Sequence, residues 1–319
     1  MRDEKTLYVV VPCYKEEAVL PETAKRLKEK MTALIGAGKI SDASRVMFVN
    51  DGSSDRTWEI IAELHEGDKL FSGVNLSRNR GHQNALLAGL TTAVQRADMI
   101  VSMDADLQDD INAMDRMIDA YHEGYDVVYG VRSSRKTDSA FKRLTAEGFY
   151  KLMKAMGVDI VFNHADYRLM SKRAVEGLMQ FNEVNIFLRG IVPQIGYSWT
   201  TVEYERAKRF AGESKYPLKK MLAFALDGIT SFSIKPLRMI VFLGAIVFLF
   251  SLLMLLWSLV NRIMGHVVSG WTSLMFSIWM LGGLQLLALG VIGEYIGKIY
   301  SEAKHRPHFI IERVLDDHN

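Results

Sequence analysis

Cysteine is almost missing from this sequence, with Cys13 alone among 319 residues. That excludes a disulfide framework and a multi-cysteine zinc module, and it suits a reducing compartment. Charge is missing from one long stretch. The chain carries 39 Lys and Arg and 37 Asp and Glu, yet across residues 239–293 only Arg262 is charged. A net charge of +2 and a mean hydropathy of +0.05 hide this division. It excludes a uniformly soluble enzyme, a disordered chain and a polytopic transporter with its sites in the bilayer. Several motifs are also lacking: Gly-x-Gly-x-x-Gly, the Walker loop, Gly-x-Ser-x-Gly and His-Glu-x-x-His. Dinucleotide binding and serine hydrolysis lose local support, and no nucleic-acid partner is expected. No signal peptide is read, because residues 1–5 are mostly charged and residues 7–11 are too short for its apolar core.

The uncharged stretch holds two runs, residues 239–261 and 267–293, each long enough at about 1.5 Å per residue to cross a hydrocarbon core about 30 Å thick. They predict two transmembrane helices in an antiparallel hairpin. Lys219, Lys220, Lys235 and Arg238 precede the first run, and Lys298, Lys304 and Arg306 follow the second. The connection carries Arg262 alone, so the basic bias places both termini in the cytoplasm. Residues 216–236 have apolar positions at mostly helical spacing beside lysines, which reads as an interfacial amphipathic segment or an ordinary helix packed on the domain. Gly293 and Gly297 at the inner end of the second run suggest a helix packing face.

Before the runs, short β-rich apolar segments alternate with amphipathic patterns. Residues 7–11, 46–49, 73–76, 99–103 and 127–130 read as strands. Helical patterns cover residues 20–34, 58–64, 82–95 and 111–123. Such alternation predicts an α/β fold, a mostly parallel sheet with helices on both faces. Ligands of these sheets bind beyond the carboxyl ends of the strands, which selects residues 12–17, 50–55, 77–82 and 104–110.

Those segments carry the chemistry. Asp104 and Asp106, with the Gln108 amide, stand directly after a strand, where two carboxylates suit Mg²⁺ or Mn²⁺ and leave room for substrate phosphates. A solvated helix start is the competing explanation, since acids are favoured there. Asp51, in Asn50-Asp51-Gly52-Ser53-Ser54-Asp55, could present a carboxylate to a ribose or base, or simply belong to a tight turn with a helix cap. Arg78 and Arg80 lie close to a helix start and favour an anionic ligand such as a diphosphate; a basic surface loop is the plainer account of either arginine.

In order, Val11-Pro12-Cys13-Tyr14-Lys15-Glu16-Glu17, the 50–55 segment, Arg78-Asn79-Arg80-Gly81, Asp104-Ala105-Asp106-Leu107-Gln108, Asp166-Tyr167-Arg168-Leu169-Met170 and Gly212-Glu213-Ser214-Lys215-Tyr216 resemble the polyprenyl-phosphate glycosyltransferases of glycosyltransferase family 2, the branch similar to bactoprenol glucosyltransferases, whose catalytic domain is like that of dolichol-phosphate mannose synthase. The resemblance extends to Gly293-Glu294-Tyr295-Ile296-Gly297. It implies a GT-A catalytic domain over residues 1–215, juxtamembrane amphipathic helices over 216–236, two transmembrane helices over 237–297 and a cytoplasmic tail over 298–319, in a bacterial inner membrane. The implied reaction moves one hexose, glucose first, from a UDP-sugar to undecaprenyl phosphate at the cytoplasmic face with inversion. N-acetylglucosamine, galactose and aminoarabinose are alternative sugars, and a non-catalytic membrane-anchored partner is the rival from another class.

By the same resemblance, Pro12, Tyr14, Glu16, Asp51, Arg80, Asp104 and Ala105 would bind the nucleotide sugar, and Asp104, Asp106 and Gln108 the metal. Arg132 would meet a phosphate or the sugar, while Arg168, Arg209, Ser214 and Lys215 would meet the donor diphosphate or the lipid phosphate. Asp166 is the expected additional catalytic carboxylate, orienting a sugar hydroxyl or positioning Arg168, with a role as base ranked below these. A homo-oligomer, tetrameric in some relatives, is compatible with the pattern. Lys15 and His82 depart from many relatives, which have Asn and Lys or Gln there. The Gln-x-x-Arg-Trp motif of processive synthases is absent, which implies single transfer.

Overall fold

The first apolar run forms strand β1 (Leu7–Cys13), buried along its whole length. A computed structural model describes residues 4–133, 164–184, 186–205, 235–264 and 270–316 of the chain. Strands β2 (Arg45–Asn50), β3 (Phe71–Leu76) and β4 (Met99–Ser102) follow, separated by helices α1 (Leu20–Gly36), α2 (Thr57–Gly67) and α3 (His82–Ala93). Helix α4 (Ala113–His122) leads to β5 (Val127–Arg132). Then come β6 (His164–Ser171), α5 (Lys172–Leu178), the short helix α6 (Leu188–Ile191) and β7 (Trp199–Tyr204). Two long helices, α7 (Lys235–Ile263) and α8 (Trp271–Ala303), precede a last strand, β8 (Ile311–Leu315).

The eight strands form one sheet in the order β7-β5-β6-β4-β1-β2-β3-β8. β1 pairs in parallel with β2 and β4, β2 with β3, and β5 with β7. β6 runs antiparallel between β4 and β5, and β8 antiparallel along β3. The sheet is therefore mixed and mostly parallel, as the GT-A resemblance implies.

Alternation along β1 sends its residues to opposite faces. Leu7, Val9, Val11 and Cys13 join one apolar core with Leu27 and Met31 of α1 and Met114 and Met117 of α4. Helix α1 buries Leu20, Ala24, Leu27, Met31 and Leu34, a stripe at helical spacing; each large apolar side chain so buried stabilises the fold by roughly 2 kcal/mol. On the other face α3 approaches so closely that a Cβ on Gly89 would lie 2.4 Å from Val10 Cγ1 and 2.7 Å from Val49 Cγ2. Helices thus cover both faces, as the alternating pattern predicts.

The described residues fall into two compact units, the sheet unit, which includes β8, and a helical unit containing α7 and α8. Large apolar side chains project from α7: Val241, Phe242, Leu249, Phe250, Leu253 and Leu256 are all more than half exposed. Among the described residues one helical stretch, Met280–Ala303 of α8, is long and apolar enough to cross a membrane. It overlaps the second uncharged run, and α8 continues past that run through Glu294, Lys298 and Glu302. Residues 216–234 of the expected amphipathic segment lie outside the described residues.

Candidate active site

The parallel strands β1 to β4 end on one edge of the sheet, and each is followed by one of the polar segments. Their mutual ties begin with Gly52, at φ +60°, where a Cβ would stand 2.4 Å from the Arg78 carbonyl carbon and 2.5 Å from Asn79 N. Only glycine permits both this backbone conformation and this approach. Across the same contact, Asp51 Oδ1 accepts a hydrogen bond from Arg80 N at 2.6 Å, and Oδ2 from Gly81 N at 2.9 Å. Asp51 is 2% exposed. Burial raises its pKa, the two backbone N–H groups and His82 opposing.

The β1 loop is held to the β2 loop in the same manner. Lys15 takes φ 57°, a strained conformation for a residue with a Cβ, and its N–H donates to Ser53 Oγ at 3.0 Å. Glu16 N donates to Thr57 Oγ1 at 3.0 Å, and Arg56 N to Glu17 Oε2 at 3.0 Å. Pro12 lies within β1, paired with Val49. Tyr14 is left 45% exposed at the rim, with Lys15 Nζ 5.6 Å from its ring centre.

After β4 the carboxylates gather. Ser102 is in register with Arg168 of β6, and Ser102 Oγ donates to the Asp166 carbonyl at 2.6 Å. This brings Asp166 beside the Asp104 segment across a sequence gap of some sixty residues. His82 Nε2, in the first turn of α3, lies 3.6 Å from Asp104 Oδ1 and 3.7 Å from Asp166 Oδ2. Desolvation of the partly enclosed Asp104 carboxylate raises its pKa; the charges of Asp166 and Asp106 add to that, while His82 and Arg189 oppose it. Asp106 Oδ1 accepts from Gln108 N at 3.1 Å. Ala105 is buried, and its carbonyl accepts from Thr23 Oγ1 at 2.8 Å, which anchors the segment to α1.

Asp166 is clamped from the other side. Arg189 binds it with both arms, Nε to Oδ1 at 3.1 Å and Nη2 to Oδ2 at 3.0 Å. Arg168 Nη2 adds a contact to Oδ1 at 3.4 Å. Burial alone would raise the Asp166 pKa, but Arg189 and Arg168 outweigh it and hold the carboxyl well below the usual range. Arg168 itself is 1% exposed, and its Nη1 donates to the Leu188 carbonyl at 3.5 Å. Arg168, expected to meet a donor or lipid phosphate, is turned in this structure toward Asp166 and the Leu188 carbonyl.

A third group closes the β5 end. Tyr204 Oη donates to Asp109 Oδ1 at 2.5 Å. Arg132, in register with Tyr204, stands beside both side chains. Burial pushes the Asp109 pKa up to about 6, helped by Asp104 and opposed by Tyr204 and Arg132. The residues expected from the sequence do not include Asp109, Tyr204 or Arg189. Arg189 sits in the four-residue helix α6, and no local pattern marks it. Asp109, directly after Gln108, is recognisable as a further acid on the metal-side loop.

Among the described residues no group of three or more His, Cys, Asp or Glu is arranged to hold a metal ion. The donor set still fits a divalent cation: Asp104, with its side chain 36% exposed, and Asp106 supply carboxylate oxygens, and hard cations of this kind complete their shell with water and substrate phosphates. Arg209, Ser214 and Lys215 lie outside the described residues.

Known proteins resemble this chain over most of its length. The family model described as Glycosyl transferase family 2 matches residues 8–179. The uncharacterized glycosyltransferase YkoT of Bacillus subtilis (strain 168) is 50% identical over 311 residues, 98% of this chain and 92% of its own length. The bactoprenol glucosyl transferase of Shigella phage SfV is 41% identical over 306 residues, 95% of this chain and 97% of its own. Among solved structures, glucosyl-3-phosphoglycerate synthase from Mycobacterium tuberculosis, in complex with Mn²⁺, UDP and glucosyl-3-phosphoglycerate, aligns with a TM-score of 0.42 at 15% identity, covering 71% of this chain and 78% of that one.

Proposed function

Because this chain belongs to glycosyl transferase family 2, we propose that it transfers a single glucose from UDP-glucose to a polyprenyl phosphate, undecaprenyl phosphate, with inversion at the anomeric carbon. The observation that carries the reading is the 41% identity over 95% of the chain to a bactoprenol glucosyl transferase. It extends through α7 and α8, beyond the part that any glycosyltransferase of the family would share.

The acceptor needs little activation. A phosphate monoester has its second pKa at about 6 and is an anionic nucleophile at neutral pH. One of its oxygens bonds to the anomeric carbon as the bond to the UDP oxygen breaks, and UDP departs with the electron pair. A divalent cation, Mg²⁺ or Mn²⁺, bound by Asp104, Asp106 and Gln108 would stabilise that departing diphosphate. Asp166 is too well ion-paired to take a proton, so its part is to orient the sugar or the donor-facing groups, and Arg168 and Arg189 hold it for that. Pro12, Tyr14, Glu16 and the 77–81 loop pinned by Asp51 form the nucleotide end. Arg80, just before α3, would meet the diphosphate. Arg132 would meet a phosphate or the sugar.

Topology supports a hairpin of two membrane spans. β8 follows α8 in the chain and pairs with β3 in the same sheet that precedes α7. A sheet cannot be divided by a bilayer, so the chain between them crosses the membrane an even number of times. The exposed apolar side chains of α7 need a lipid environment as much as those of α8 do. With basic residues flanking both outer ends, the sheet unit lies on the cytoplasmic side.

The test supplies purified full-length protein with undecaprenyl phosphate, Mg²⁺ and a panel of radiolabelled UDP-sugars. Lipid-extractable label from UDP-glucose is expected. Label from UDP-N-acetylglucosamine or UDP-galactose instead changes the sugar, and label from no donor overturns the enzymatic reading.

A further inference from the structure

The last strand reaches the nucleotide end of the site through a chain of side chains. β8 pairs regularly with β3 from Gly73 opposite Leu315 to Asn75 opposite Arg313, and then slips, so that Leu76 stands opposite Ile311. Glu312 is the extra residue of this bulge, and bulges re-aim side chains. Its Oε2 accepts a hydrogen bond from Asn75 Nδ2 at 2.9 Å. Asn75 Oδ1 accepts from Asn50 Nδ2 at 2.7 Å, Asn50 Oδ1 from Ser53 N at 3.3 Å, and Ser53 Oγ from Lys15 N at 3.0 Å.

The direction of this chain is set at its outer end. A carboxylate only accepts, so Asn75 must turn its amide nitrogen toward Glu312 and its oxygen toward Asn50. Asn50 must then turn its nitrogen to Asn75, which leaves its oxygen for Ser53 N. The two amide links point the same way and end on a negative charge, an arrangement in which those bonds strengthen one another, and Ser53 ties them to Lys15 through its backbone N–H and its hydroxyl. The far end holds the backbone of Lys15 at φ 57°, next to Tyr14.

We propose that Glu312 is a positioning residue for the nucleotide end of the donor site: it fixes the orientation of the Asn75 and Asn50 amides and thereby the conformation of the Tyr14–Lys15 loop that receives the base. The proposal rests on the UDP-sugar reading above. It gives the segment after α8 a part in donor binding, though none of its residues need touch the donor.

The experiment compares full-length wild type with Glu312→Gln, Glu312→Ala and Glu312→Lys, reading KM for UDP-glucose, kcat, UDP affinity by calorimetry and Tm. Gln keeps an accepting oxygen and should stay within about twofold of wild type in KM, whereas Ala should raise KM about three- to tenfold with kcat unchanged, the worth of one lost hydrogen bond. Lys can only donate. It would reverse both amides and set the Asn50 nitrogen against Ser53 N–H, so its KM should exceed that of Ala. A purely structural role predicts equal falls in Tm for Ala and Lys with KM unmoved, and that result overturns the proposal. If the wild type transfers glucose and Glu312→Ala matches its KM, the relay alone fails. If the wild type binds UDP more tightly than Glu312→Ala yet transfers no sugar, the relay stands and the transferase reading fails. A wild type that binds no UDP overturns both.

Discussion

The two ends of the catalytic edge are held by different forces. At the β1–β3 end, Asp51 is buried against two backbone N–H groups, and burial raises its pKa. At the β4–β6 end, Asp166 is also buried, but Arg189 and Arg168 drive its pKa down. Neutral partners locate a loop without adding charge to the site. Ionic partners fix a carboxylate in its charged form and take away its value as a base. Under the proposed reaction, the first end would hold the nucleotide, and the second would manage the charge of a diphosphate meeting an anionic acceptor.

The largest effect should come from the charged end. Asp106→Ala is expected to lower kcat by about a thousandfold, the scale on which removal of one transition-state stabiliser acts, with Tm close to wild type. Transfer at near-normal rate with Mg²⁺ present would remove Asp106 from the metal set. Arg189→Ala should follow, with kcat down about a hundredfold as Asp166 loses its orientation. Circular dichroism and Tm would separate that loss from unfolding.

Much of this architecture is legible in the amino-acid sequence. Strands β1 to β4 are readable because each is a short apolar run closed by polar residues, and the helices because α1 and α4 repeat their apolar positions every third or fourth residue. β6, β7 and β8 are not. β6 carries Asp166 and Arg168 in its interior, a pattern that suggests a surface segment until the two are seen to neutralise each other with Arg189. β8 is five residues at a sheet edge, and only its pairing with β3 defines it. Site residues are readable as types and not as partners. Asp51 is recognisable as a functional carboxylate, but nothing local says that backbone amides some thirty residues away occupy both oxygens. Arg168 is recognisable as a cation near the site, while its burial depends on Asp166 and on the segment around Leu188, twenty residues further on.

A smaller effect sharpens the same comparison through pH. The folded-state pKa of Asp166 is depressed, so its contribution to stability is present above the unfolded value of about 3.9 and is lost as pH falls through the folded value. Asp51 is raised, so the folded state binds the extra proton, and stability falls as pH rises from the unfolded value through the folded one. Asp166→Asn should therefore flatten the gain in Tm on leaving acid pH. Asp51→Asn should remove a loss of Tm over the interval just above the ordinary carboxylate range. Equal pH profiles for the two variants would mean that the two ends are held alike.

The most direct test of the mechanism is the pH dependence of kcat/KM for the polyprenyl acceptor, in wild type and in Asp166→Asn. The account predicts a slower variant whose profile keeps the same midpoint, at about 6, where the acceptor phosphate and Asp109 titrate and Asp166 does not. A rising limb present in wild type and absent in Asp166→Asn would make Asp166 the base and contradict the account.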